Sequence, residues 1–209
     1  MCTRYYLEKT PETEPYAEAA ERSPLRDRMA AKLARPLKTE GEIRPTDMVP
    51  VIAVSARSRS RSVFPMIWGF SPPPGGSLLL NARVETAGRK PTFRDSWMQR
   101  RCIIPASWYY EWQHFITADG KTKTGDRFTI RPGGSALTLL AGLYRIEDGF
   151  PHFVVLTREA SDSLRFIHDR MPVILDQSDV KEWIDPESRP DLIQKIAGHA
   201  LSDMLVEKG

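Results

Sequence analysis

The chain has 209 residues, 41% of them hydrophobic and 27% charged, with 30 basic against 27 acidic side chains for a formal net charge of +3. These are globular proportions that exclude general disorder and a chain-long coiled coil, and the longest apolar runs, such as Phe153 to Leu156, fall far short of the roughly 20 residues that cross a bilayer. A balance this close to neutral does not by itself argue for a nucleic-acid partner.

In chain order, Met1-Cys2-Thr3-Arg4-Tyr5-Tyr6 has neither the apolar stretch nor the small-residue cleavage site of a secretory signal, so a cytoplasmic protein with no membrane association is expected. Ser23-Pro24 starts a helix, an N-cap followed by proline in the first turn. Leu25, Met29 and Leu33 recur at helical spacing before Arg35-Pro36 stops it. Short β-rich runs follow at Val49–Ser55, Val63–Trp68, Ser77–Arg83, Arg101–Ala106, Trp108–Gln113, Arg127–Arg131, Leu137–Arg145, His152–Thr157 and Met171–Leu175, punctuated by Gly, Pro and Asp clusters. The alternating Arg57–Ser62 segment reads as an exposed loop or hairpin tip. A short helix is predicted between Thr157 and Ile167 with Thr157 as its cap, and Leu192, Ile193, Ile196, Ala200, Leu201 and Leu205 mark an amphipathic helix near the end. The fold class predicted is α+β: one domain over residues 1–209, a strand-rich core of mixed, mostly antiparallel sheet flanked by helices.

Charge is unevenly spread. Six basic residues between Arg83 and Arg101 outnumber Glu85 and Asp95 by four, whereas residues 176–209 hold eight acids and four bases. A polyanion is therefore attracted to the middle of the chain and repelled from its end; an ordinary solvated surface is the plainer explanation of the same counts.

Two cysteines cannot staple a chain of this length, and each is read as a thiol. Cys102, in Arg101-Cys102-Ile103-Ile104-Pro105, alternates into an apolar strand and is expected to be buried and inert. No Cys or His pairs fall at zinc-ligand spacing, and neither a phosphate loop nor a dinucleotide fingerprint is present, so no metal and no cofactor are predicted. Cys2 is different. Aminopeptidases remove Met1 when a small residue follows, leaving a cysteine with a free α-amine (pKa about 7.7–8.0) beside a thiol (about 8.5). Such a 1,2-aminothiol condenses with an aldehyde to an imine and then closes to a five-membered thiazolidine. The same pair also suits acyl transfer, while a frayed, functionless terminus is the bland alternative.

Four separated segments add to this reading: Met1-Cys2-Thr3-Arg4-Tyr5, Leu80-Asn81-Ala82-Arg83-Val84-Glu85-Thr86, Pro105-Ala106-Ser107-Trp108-Tyr109-Tyr110-Glu111-Trp112 and Ile167-His168-Asp169-Arg170-Met171-Pro172-Val173-Ile174-Leu175. In order and spacing they resemble the SRAP family, the SOS response-associated peptidases, with Gly41–Thr46 and Ile67-Trp68-Gly69-Phe70 also fitting. The resemblance covers about residues 2–175, and the chain departs from the family pattern at Thr3, Glu42 and Ser71–Gly76. It implies an abasic-site sensor, a monomer, that crosslinks covalently to single-stranded DNA through the N-terminal cysteine. A thiol autopeptidase using Cys2, Glu111 and His168 and a non-catalytic single-strand DNA binder are the alternatives.

The resemblance implies catalytic roles for Cys2, Asn81, Glu111 and His168. His168 is suited to protonate the ring oxygen of the closed deoxyribose as it opens, against the alternative of a hydrogen-bonded structural histidine. Glu111 lies in an aromatic strand whose walls raise a carboxyl's pKa towards a proton-exchanging range, unless it sits on an exposed edge; strand parity leaves both open. Asn81 and Arg83, two apart on a predicted strand, share a face, where Asn81 can donate to a sugar or carbonyl oxygen and Arg83 can fork onto a phosphate or pair with Glu85. DNA contacts are implied for Arg4, Pro45, Trp68, Arg83, Thr157 and Arg170, with Trp68 offering a flat face for an unstacked base.

Overall fold

The computed structural model describes residues 2–72, 74–117 and 119–209. Strand β1 (Arg4–Leu7) leads into helices α1 (Glu14–Glu21) and α2 (Pro24–Leu33), then β2 (Gly41–Ile43), β3 (Met48–Val54), β4 (Arg61–Trp68) and β5 (Asn81–Arg83). Helices α3 (Val84–Ala87) and α4 (Pro91–Gln99) precede β6 (Arg101–Ala106), β7 (Trp108–Ile116), β8 (Thr122–Pro132), β9 (Thr138–Glu147), β10 (Phe150–Glu159) and β11 (Arg170–Pro172). A 3-10 turn (Gln177–Asp179), α5 (Val180–Ile184), α6 (Pro190–His199) and β12 (Met204–Lys208) complete the chain. The α+β class and the mixed, mostly antiparallel sheet agree with the sequence reading. Among the described residues, no helix is long and apolar enough to cross a membrane.

The strands form two sheets. The first, in the order β12-β8-β7-β1-β2, is antiparallel throughout. The second runs β11-β10-β4-β3-β6-β9, and because β9 also pairs with β10, five of its strands return on themselves in a closed ring. Strand β10 organises this ring. Along one edge it takes β9 and then β11, both antiparallel; along the other it takes β4 and then β5, both parallel.

The apolar runs of β3, β6, β9 and β10 are continuous because both faces of these strands are covered. Val49, Val51, Cys102, Ile104, Phe153 and Val155 face inward, against Tyr5, Leu7, Ile43, Tyr109 and Ile130 of the first sheet. Their alternate neighbours Ile52, Ile103, Val154 and Leu156 face outward, where α3, α4, α5 and α6 supply Ala87, Phe93, Trp97, Trp183, Ile193 and Ile196. Each large side chain so enclosed contributes about 1.5–3 kcal/mol of transfer free energy. Cys102 is fully buried as expected, and burial pushes its thiol pKa well up.

Several elements differ from the sequence reading. The segment after Thr157 is not a helix: β10 continues to Glu159, and residues 162–167 form turns. Thr157 resembles an N-cap in sequence, but here it pairs with Arg83 on one side and Pro172 on the other. Helix α6 stops at His199, and Leu205 lies instead on β12, paired with Arg131. Helix α2 begins where its signals place it, with the Ser23 hydroxyl accepting from the Leu25 amide at 3.3 Å, and it ends on Ala34 in the left-handed region. Helices α1, α3, α4 and α5 were not anticipated.

Candidate active site

The site lies where β1 meets β7 and where β5 runs beside β10. Strand β1 pairs with β7 in the register Arg4↔Tyr110, Tyr5↔Tyr109 and Tyr6↔Trp108, which carries the preceding residue Cys2 towards the Glu111 end of β7. Cys2 is fully buried and its thiol donates to the Arg4 carbonyl at 3.6 Å. Burial, reinforced by the Glu111 carboxylate, pushes that thiol well above its ordinary pKa. Asn81 reaches across from β5, its amide nitrogen donating to the Cys2 carbonyl at 3.0 Å.

Glu111 is 3% exposed, which settles the parity left open by sequence: Tyr109 and Glu111 face inward, and the exposed-edge alternative is excluded. Burial raises its pKa above the usual carboxylate range. Its carboxylate also accepts from the Trp112 amide at 3.3 Å.

His168 follows the turns after β10, half-buried. Its Nδ1 accepts from the Arg170 amide at 2.9 Å and lies 2.6 Å from the Asp169 carboxylate. The first contact suits a bare Nδ1 and the second a protonated one, so these neighbours hold the ring in place in either state. Burial lowers its pKa, and Asp169 opposes the shift.

Potential ligand or proton-exchanging atoms of Glu111, His114 and His168 all lie within 4.8 Å of one another. Cys2, Asn81, Glu111 and His168 therefore converge through contacts and electrostatic coupling.

The residues suggested for DNA contact are dispersed in character. Arg83 is exposed, and its alternative partner Glu85 is instead taken by Arg170, whose two terminal nitrogens donate to the Glu85 carboxylate at 2.8 and 2.9 Å. Arg170 also donates to the Thr157 carbonyl at 2.7 Å, so its fork is occupied within the protein and does not present a free phosphate clamp. Thr157 is fully buried, its hydroxyl turned to the Ala82 carbonyl at 3.5 Å, which removes it as a phosphate contact. Trp68 is likewise corrected. Its indole is fully buried, donates to the Leu80 carbonyl at 3.1 Å and packs against Tyr5 and Phe153, leaving no face for a base. Arg4 is half-exposed and pairs with Glu42 at 3.3 Å, while Pro45 is half-buried in the turn after β2.

Two neighbours of the site escaped the sequence reading. Tyr109 is buried, and its phenol pKa is raised by burial and by the Cys2 and Glu111 charges. His114 sits edge-on to His168 with ring centroids 5.4 Å apart. Phe115, next to His114, and Phe166, two residues before His168, are both exposed.

A cysteine just ahead of β1, a buried carboxyl on β7 beside it and a turn histidine next to that carboxyl fit the resemblance seen in the sequence. The family model for SOS response associated peptidase (SRAP) matches residues 1–207, and the chain belongs to that family. The match extends past Leu175, where the motifs recognised in the sequence end.

The chain is 35% identical over 172 residues to the abasic site processing protein YoaM of Bacillus subtilis, covering 75% of this chain and 74% of that protein. It is 38% identical over 140 residues to the abasic site processing protein YoqW of the same organism, covering 62% of this chain and 60% of that relative. The crystal structure of a phage-related protein of Bordetella bronchiseptica has the same fold, with a TM-score of 0.73 at 20% identity over 100% of this chain and 94% of that one.

Proposed function

We propose that this protein captures abasic sites in single-stranded DNA by forming a thiazolidine crosslink through Cys2 once Met1 has been removed. The observation that carries the reading is the placement of Glu111 beside Cys2 and of His168 beside Glu111, with Asn81 holding the Cys2 carbonyl.

The deoxyribose of an abasic site is mostly a cyclic hemiacetal. His168 protonates its ring oxygen as the C–O bond opens, and the anomeric hydroxyl gives up its proton to water, exposing the aldehyde. The Cys2 amine adds to that carbon, and Glu111 takes the proton the nitrogen sheds and returns one to the departing hydroxyl, which leaves as water to give the imine. The sulfur then adds to the imine carbon, its proton passes to the nitrogen, and the five-membered ring closes without any external oxidant or reductant. Asn81 fixes the angle of the Cys2 backbone through these steps, and exposed Arg83 at the end of β5 meets a backbone phosphate.

Mature protein incubated with a uracil-containing oligonucleotide pretreated with uracil glycosylase should give a shifted band on a denaturing gel. The band should vanish with Cys2→Ala and in protein that retains Met1. No shifted band from the mature protein overturns the proposal.

A further inference from the structure

We propose that Glu111, His114 and His168 form a binding site for one divalent transition-metal ion of the zinc class, and that occupancy of this site shuts off capture of the aldehyde. The inference rests on the proposed chemistry only for its inhibitory consequence; the metal site stands on its own geometry. Two imidazoles and one carboxylate, each offering one ligand atom, lie within 4.8 Å of one another. In a tetrahedral zinc site with bonds of about 2.0–2.2 Å, neighbouring donors are about 3.3 Å apart. Drawing these three together takes a movement of about 1.5 Å or less, within reach of side-chain rotation by His114, which is exposed.

The supporting structure resembles that around a bound ion. Histidine ligands of metals usually engage their second nitrogen with a carboxylate or other acceptor, which orients the ring. His168 has this arrangement when its Nδ1 carries the proton: that nitrogen lies 2.6 Å from the Asp169 carboxylate, in place of its contact with the Arg170 amide, and Nε2 is left for a ligand. The strand carrying Glu111 and His114 is tied directly to the turn carrying His168, because the His114 amide donates to the Ile167 carbonyl at 3.1 Å. Two ligands on β7 three residues apart and a third on this turn are thus fixed to one another by the main chain. Sequence spacing could not reveal the set, because His114 and His168 are 54 positions apart and neither belongs to a close pair.

Three protein ligands leave a fourth position of a tetrahedral ion open. Cys2 lies beside Glu111, and in the mature chain its amine and sulfur are the natural donors for that position. An ion there occupies the carboxyl and the imidazole on which ring opening and imine formation depend, and it ties up the nucleophile as well. His114 has no part in the proposed capture chemistry, which separates the two functions.

The test is titration of mature protein with Co2+ alone, followed by its visible ligand-field absorption, and with Zn2+ alone by calorimetry. One equivalent should bind, with intense tetrahedral Co2+ bands, and His114→Ala should weaken binding by more than about tenfold. In the gel assay, Zn2+ should suppress crosslinking by the parent protein, EDTA should restore it, and the crosslinking that His114→Ala retains should resist Zn2+. Absence of one-to-one binding by the parent protein, or unchanged affinity in His114→Ala, overturns the proposal. Both readouts of binding are free of DNA, so they retain their meaning even if no crosslink forms.

Discussion

Replacing Arg101 by methionine tests how the helical layer is fastened to the strand ring. The residue is 2% exposed, and its guanidinium faces main-chain carbonyls on every side. It donates to the Trp97 and Met98 carbonyls in the last turn of α4, and to the Trp183 and Asp185 carbonyls at the end of α5. One cation thus satisfies the orphan acceptors of two helix C-termini and meets the negative ends of both dipoles. Burial pulls its pKa down to about 10, leaving it charged at neutrality. Four hydrogen bonds from a charged donor at about 1.5–3 kcal/mol each give a gross value of about 6–12 kcal/mol. Relief of the guanidinium's desolvation offsets several kcal/mol of this, so Arg101→Met should cost about 3–5 kcal/mol net, as for other broken buried charge interactions. That is a large share of the roughly 5–15 kcal/mol that holds a domain together. Urea denaturation should show the loss as a lower midpoint, and thermal unfolding as a fall of about 6–20 °C at roughly 2–4 °C per kcal/mol. Arg101→Lys, with its donors on a single atom, cannot span both helix ends and should fall between the two. A loss below about 1 kcal/mol for Arg101→Met would refute the reasoning.

Other perturbations follow from the same structure. In Gly142→Ala, the new methyl group would stand 2.5 Å from Ile104 Cδ1, 2.9 Å from the Val154 carbonyl oxygen and 3.0 Å from Cys102 Sγ. One of these is main chain, so the overpacking cost should reach about 3 kcal/mol, measurable in the same urea melts. Glu147, 12% exposed, is desolvated, yet hydrogen bonds from the Ser71 amide and Arg145 hold its pKa below the usual carboxylate range. A depressed folded-state pKa contributes stability above the unfolded value of about 4.3 that is lost as pH falls through the folded one; Glu147→Gln should flatten the acid limb of the stability profile. Asn81→Asp keeps the shape but puts an acceptor opposite the Cys2 carbonyl, and crosslinking measured by gel should slow by about tenfold or more, the equivalent of one lost hydrogen bond.

The strands were legible where burial on two faces wrote long apolar, β-branched runs, as in Met48–Val54 and Phe153–Leu156. Cys2, Asn81, Glu111 and His168 were legible as motif residues, although only the structure shows that they meet. Helix α4 was hidden because its buried stripe of Phe93, Ser96 and Trp97 is embedded among Arg89, Lys90, Arg94 and Arg100. The same basic segment suggested a polyanion surface, but one of its members, Arg101, is spent on two helix ends. Thr157 and Trp68 illustrate the converse: their residue types suit a phosphate and a base, but the closing of β10 against β4 and β5 buries both. Whether a polar or aromatic side chain faces DNA or a neighbouring strand depends on pairings between residues distant in sequence, which local pattern does not encode.

The surroundings of Cys2 also bear on the order of bond formation. A cysteine used at rest as a thiolate needs a cation or a set of donors around its sulfur. Here the residue is fully buried, and its burial and the neighbouring Glu111 carboxyl both favour S–H. In the proposed capture, attack by nitrogen first would resolve this difficulty, because the protonated imine it creates would place a positive charge next to the sulfur at the moment the thiol must give up its proton. The amine step should then survive without sulfur. Mature Cys2→Ser protein should form an imine with the abasic oligonucleotide that borohydride reduces to a permanent crosslink, while giving no stable product without reductant. If Cys2→Ser yields no borohydride-trapped band under conditions where the parent protein crosslinks fully, the sulfur acts first and this order of events is wrong.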